Sequence, residues 1–186
     1  MRWDGLFADL EAQWQEAQSA PVLAEARELT RGEWAAITLT QRLRAATGRE
    51  VRLSLAHGEP LVLSVQVVGD SWIGGLSRAG QSCIVQLDHV LAVEGQLGAA
   101  RVLDSPSGPL RWGAVLRSLA RARAAVEVLG RDGRVLAEGT IDRVGQDHID
   151  VARHARDDAR RAAALRGSMT VAWHGIAMVR SRVSVL

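Results

Sequence analysis

Apolar residues recur along this chain with two periods, and the switch between them divides it. Over residues 3–17, Trp3, Leu6, Phe7, Leu10 and Trp14 fall at helical spacing, while Asp9, Glu11 and Glu16 suit a solvated face. Ser19-Ala20-Pro21 interrupts this pattern, and proline fits the first turn of a new helix. A second helix is predicted from about residue 21 to 46, stopped at Gly48 and weakened by Gly32.

From Arg49 the period becomes two. Val51, Leu53 and Leu55 alternate with Arg52 and Ser54, His57-Gly58 makes a turn, and Leu61, Leu63 and Val65 continue on a second strand. Further strands are predicted from Trp72-Ile73, from Cys83 to Leu87 and from Val90 to Val93. The plan then repeats. Trp112 to Arg121 reads as a helix, Val126 and Val128 lead to the hairpin signal Asp132-Gly133, Val135 to Val144 forms the next strand, and His148-Ile149-Asp150-Val151 opens a third. The copies align residue by residue. Val51, Leu53 and Gly58 match Val126, Val128 and Gly133. After a one-residue gap, Val65, Val68-Gly69 and Ile73 match Ile141, Val144-Gly145 and Ile149. Val85, Leu87, Val90 and Val93 match Val171, Trp173, Ile176 and Val179. Four segments follow: a helical arm (1–48), a first β unit (49–98), a linker containing Ser105-Pro106-Ser107-Gly108-Pro109 (99–110), and a helix with a second β unit (111–186). The fold class is mainly β with N-terminal helices: a helical arm followed by two tandem five-stranded barrels.

Composition adds three constraints. No apolar run is long enough to span a bilayer, no signal-peptide stretch opens the chain, and the single Cys83 makes no internal disulfide, so a cytoplasmic protein is expected. Lys, Asn and Tyr are absent, so every basic side chain apart from His is Arg. Charge is also uneven: residues 1–98 carry 8 Arg and 12 acids, residues 99–186 carry 15 Arg and 9 acids. A basic half attracts polyanions.

The repeat resembles the Sm-like (LSm/Hfq-type, SH3-like) fold, a helix followed by five strands. Val126 to Gly145 fits its first signature well; Val51 to Ile73 fits less well, with Ser64 where Gly139 stands. The start, Met1-Arg2-Trp3-Asp4 through Glu11, also resembles an actinobacterial family of unassigned role, sometimes labelled Fis-type transcriptional regulators; no helix-turn-helix is legible at the C-terminus to support that label. The Sm resemblance implies RNA binding and assembly by edge-strand pairing, with two fused barrels pairing with each other or building a ring from fewer chains. This sequence departs from it at the RNA site. Asp70 and Asp147 lie near the tips where an Asn would read a base, and Val93-Glu94-Gly95 reverses the charge of the second signature, while Val179-Arg180-Ser181 keeps its Arg.

The candidate nucleic-acid contacts are Arg153, Arg156, Arg160, Arg161 and Arg166 in the insertion Ala152–Gly167, with Arg180 and with Trp72 as a base-stacking ring. Arg117, Arg121 and Arg123 extend this set if they share a face with Arg180 and Arg182. The candidate oligomer interface is Trp3, Leu6, Phe7, Leu10 and Trp14. His57, His89, His148, His154, His174 and Cys83 lack zinc-type spacing, no Ser sits in a nucleophile elbow, and no phosphate loop is present, so no metal, cofactor or catalysis is expected. The expected function is non-enzymatic regulation by binding nucleic acid, RNA before DNA. The alternative is a protein-interaction adaptor that forms a homodimer or higher oligomer through the arm or the barrel edges.

Overall fold

The alternation read from the sequence becomes ten antiparallel strands. The computed structural model describes residues 34–97, 110–153 and 167–181. Residues 1–38 and 39–186 form two separate units. In the first, Trp34 and Ala35 end a helical turn, and the Ile37 N–H donates to the Trp34 carbonyl at 3.2 Å. Helix α1 (Leu39–Ala45) starts afresh in the second unit. The expected helix over 21–46 is therefore broken at residues 36–38. Ile37, Thr38 and Thr40 are β-branched, which disfavours a continuous helix, and Thr38 is a good capping residue type before Leu39.

The first half contributes β1 (Glu50–Leu55), β2 (Leu61–Val68), β3 (Trp72–Ser77), β4 (Ser82–Gln86) and β5 (Val90–Glu94). Helix α2 (Trp112–Arg121) precedes the second half: β6 (Ala125–Gly130), β7 (Val135–Val144), β8 (His148–Arg153), β9 (Ser168–Ala172) and β10 (Ile176–Ser181). The sheet order is β5-β1-β2-β3-β4-β10-β6-β7-β8-β9. Each half thus has the same internal order, fifth-first-second-third-fourth. All ten strands lie in one open sheet; the expected pair of closed barrels is not what the pairing describes.

The register reproduces the sequence repeat. Val51 faces Leu63 as Val126 faces Gly139, and Val65 faces Gly75 as Ile141 faces Val151. Both second strands carry the same irregularity, between Val65 and Val67 and between Ile141 and Arg143. One detail of the alignment changes. Gly139 corresponds to Leu63, not Ser64, so the extra residue lies earlier, around the hairpin. There the Gly130 N–H bonds the Arg134 carbonyl at 2.8 Å, and Gly133 takes a φ of +79°. A side chain at Gly133 would also collide with the His57 ring. The two hairpin turns therefore touch.

The halves meet where β4 pairs with β10: Val85 with Met178, Ile84 with Val179, Cys83 with Arg180 and Ser82 with Ser181. Every residue of β4 is buried. Burial without alternation marks a strand covered on both faces. Cys83 and Val85 point into a core with Leu43, Val51, Leu53, Leu63 and Ile73, while Ile84 joins the other core with Leu116, Val126, Val128, Ile149 and Ile176. The exchange is mutual. Trp72 of the first half is built into the second core, and Leu129 and Met178 of the second half into the first. No helix among the described residues is long and apolar enough to cross a membrane.

Candidate functional site

Equivalent turns of the two halves come together beside the junction. The Gly69 N–H donates to the Trp72 carbonyl (2.8 Å), as Gly145 donates to His148 (2.9 Å). The Leu87 N–H donates to the Ser71 carbonyl (2.8 Å), as Trp173 donates to Asp147 (2.7 Å). Each β2–β3 type tip is thereby latched to a short 3-10 turn, Leu87–His89 or Trp173–Gly175. Across the junction, the Gln86 side-chain amide donates to the Trp173 carbonyl at 3.3 Å. Between these turns and the start of α2 lies an open cleft of about 550 Å³, within the usual range for small-ligand sites. Its lining includes Asp70, Asp88, Arg111, Arg117, Gln146 and Trp173.

Helix α2 forms one side of the cleft because it is amphipathic. Trp112, Val115, Leu116 and Leu119 are buried, and Arg117, Ser118 and Arg121 face solvent. Arg111 and Arg123 flank it, also exposed. No acidic residue occurs between Leu110 and Val126, and Arg111, Arg117, Arg121 and Arg123 make no ion pair among the described residues. The tip beside it is pinned. Arg44 Nη2 donates to the Gly69 carbonyl (3.0 Å), and the Asp70 N–H and Trp72 Nε1 both donate to the Leu110 carbonyl (3.0 and 2.9 Å).

Two titratable groups near this region are shifted. Burial, then Arg131, holds His89 below its ordinary value. A hydrogen bond from His148, 2.8 Å away, holds the Asp147 carboxyl below its usual range. Both effects favour the form already present at neutral pH, a neutral imidazole and a carboxylate.

The structure redistributes the residues singled out from sequence. Trp72 is fully buried, its N–H satisfied by Leu110, so it has no free face for a base; the expectation that a strand-opening Trp beside a tip is exposed is corrected. Arg180 is half-buried and donates to Glu127 on the adjacent strand, so its charge is already matched and it does not join α2 in a basic face. Arg153 is exposed at the end of β8. Arg156, Arg160, Arg161 and Arg166 lie outside the described residues, as do Trp3, Leu6, Phe7, Leu10 and Trp14. Among the described residues, no three His, Cys, Asp or Glu side chains cluster as a metal site would require. Compared with protein-family models, curated proteins and solved structures, the chain matches none of them.

Proposed function

We propose that the chain binds nucleic acid, RNA before DNA, through the exposed arginines of α2. The observation that carries this reading is the run Arg111, Arg117, Arg121 and Arg123: four exposed guanidiniums, no intervening acid and no ion-pair partner among the described residues. Arg117 and Arg121 are one helical turn apart, about 6 Å along the axis, and present neighbouring forks for phosphate. The resemblance to Sm-like modules supports the same reading, as does the common strand order of the halves, and each half is read as one such module. The reading relocates the basic surface from the β8–β9 insertion to α2 without excluding Arg153.

A mobility shift with single-stranded RNA at two salt concentrations tests it. Retardation is expected to weaken steeply with salt. In Arg117→Ala/Arg121→Ala/Arg123→Ala the log–log salt slope is expected to fall by about 0.7 for each phosphate no longer neutralised. These side chains are exposed, so the fold is retained. A wild-type protein that shows no salt-sensitive retardation of mixed RNA would eliminate the proposal.

A second reading, an adaptor that assembles with copies of itself, is favoured by the outer sheet edges, which pair with no further strand among the described residues. Strand β5 is largely exposed where its counterpart β10 is buried, and Leu91 on β5 is 70% exposed. Strand β9 is likewise more exposed than its counterpart β4. Unpaired edges of this kind template further pairing. Light scattering is expected to give an oligomer that Leu91→Lys dissociates at unchanged thermal stability; a monomeric wild type removes this reading.

A further inference from the structure

We infer that the groove between α2 and β2 binds a linear amphiphile, a medium-length aliphatic chain ending in a carboxylate, with the chain towards Leu110 and the carboxylate on Arg121. The groove lies on a different flank of α2 from the cleft, and the inference does not depend on RNA binding.

The shape of the groove follows from two elements. Ala114, Val115, Ser118 and Arg121 line it from α2. Their spacing puts them on one face, over about 10 Å of the helix axis. Leu110, just before the helix, also lines it and keeps 55% of its surface exposed. The facing wall is Gln66 and Val67 of β2, together with Trp72 of β3. Both β2 residues reach the groove because the strand is irregular there. Val65 pairs with Gly75 and Val67 with Gly74, which leaves Gln66 as the extra residue. Trp72 is held in place, fully buried with its N–H on the Leu110 carbonyl. The cavity measures about 370 Å³. At roughly 30 Å³ per heavy atom, the space one occupies in a liquid, it holds about twelve heavy atoms. About twelve atoms over about 10 Å is the extent of one extended chain rather than of a fused ring system.

The chemistry follows from how polarity is ordered along the helix. Leu110, Ala114 and Val115 make the first part of the groove apolar, and Ser118 and Arg121 make the last part polar. No acid lines it, and Arg121 makes no ion pair among the described residues. A guanidinium at one end of an apolar trough is complementary to an anion carried on an apolar chain. The two halves of the sheet differ at this place. Where the first half has Gln66, Val67 and Trp72, the register puts Asp142, Arg143 and His148 in the second. The second copy keeps these positions polar. The first has lost their charges at the place where α2 lies beside it.

The test is a titration of the full isotope-labelled chain with decanoate below its micelle concentration, followed at the Trp72 indole and the Val67 and Val115 methyl resonances. These three are expected to shift together. Each methylene removed is expected to weaken binding by about twofold to fourfold, the range from half to full burial, so that octanoate and hexanoate follow in order. Decyltrimethylammonium, the same chain with the opposite charge, is expected to bind at least about tenfold more weakly than decanoate. Arg121→Ala is expected to weaken decanoate about threefold to tenfold, the loss of one exposed charge-assisted contact. Ala114→Leu is expected to fill the groove and abolish the shifts while every arginine stays in place. The charge and chain-length series use the wild-type chain and decide the matter even if that variant does not fold. Unmoved Trp72, Val67 and Val115 resonances overturn the site. Decyltrimethylammonium binding as tightly as decanoate overturns the anion, and hexanoate binding as tightly overturns the chain. Shifts at the same resonances that follow protein concentration without ligand give the groove to a second copy and overturn the inference. A decanoate response in a protein that does not retard RNA sinks the nucleic-acid reading alone.

Discussion

Ile84→Ala is expected to destabilise both halves of residues 39–181 in one transition, by about 2–5 kcal/mol. The side chain is 1% exposed at the centre of β4, opposite Gly74 on one side and Val179 on the other. It belongs to the core of the second half although its strand belongs to the first. Its truncation leaves a void in one core and loosens the strand that carries Cys83 and Val85 into the other. Urea unfolding followed by tryptophan fluorescence and by far-ultraviolet circular dichroism measures the effect. Coincident curves shifted to lower midpoint are expected. Two separated transitions would mean that the halves hold themselves together independently, against the mutual exchange of Trp72, Ile84, Leu129 and Met178.

The second large effect comes from adding one methyl group. Gly75 of β3 pairs with Val65 beside the β2 irregularity, and a Cβ there would stand 2.0 Å from the Ser64 carbonyl oxygen and 2.9 Å from its carbon. These are backbone atoms of a paired strand, so neither can turn aside. Gly75→Ala is expected to cost about 1–3 kcal/mol or more, as overpacking does. The equivalent position in the second half holds Val151, so the local spacing of the two copies has diverged here. Gly175→Ala serves as control, because nothing lies within 4 Å of its added Cβ, and its effect is expected to stay within about 0.5 kcal/mol. Thermal unfolding of the two variants decides the matter. Equal melting temperatures would show that β2 yields.

Much of this architecture is legible in the chain because period two is a local signal. The alternation of Val51 and Leu53, the glycines at 58 and 133, and the alignment of Val85–Val93 with Val171–Val179 fix strand existence and, through the repeat, register. The less legible parts depend on partners distant in sequence. The residues Ser82 to Val85 do not alternate, which is the mark of a strand covered on both faces, but only the pairing with Met178–Ser181 identifies the cover. Trp72 opens a strand beside a tip, a position that suggests exposure; its fate is decided by the Leu110 carbonyl, 38 residues away. The acid-free stretch around α2 is visible in the sequence, whereas the cleft beside it is not. Asp88 and Trp173 become neighbours only after β4 and β10 have paired. The helix expected over 21–46 is interrupted at residues 36–38 for a local reason, the β-branched Ile37, Thr38 and Thr40.

The β4–β10 seam also changes how dilution acts on the protein. A lone copy of the repeated unit would have to find this seam by diffusion, and its stability would fall as the solution thinned. Here the tether delivers the second surface at a local concentration set by its own length, so the encounter is unimolecular. Folding of the sheet is thereby insulated from expression level, and any dependence on protein concentration belongs to assembly between chains.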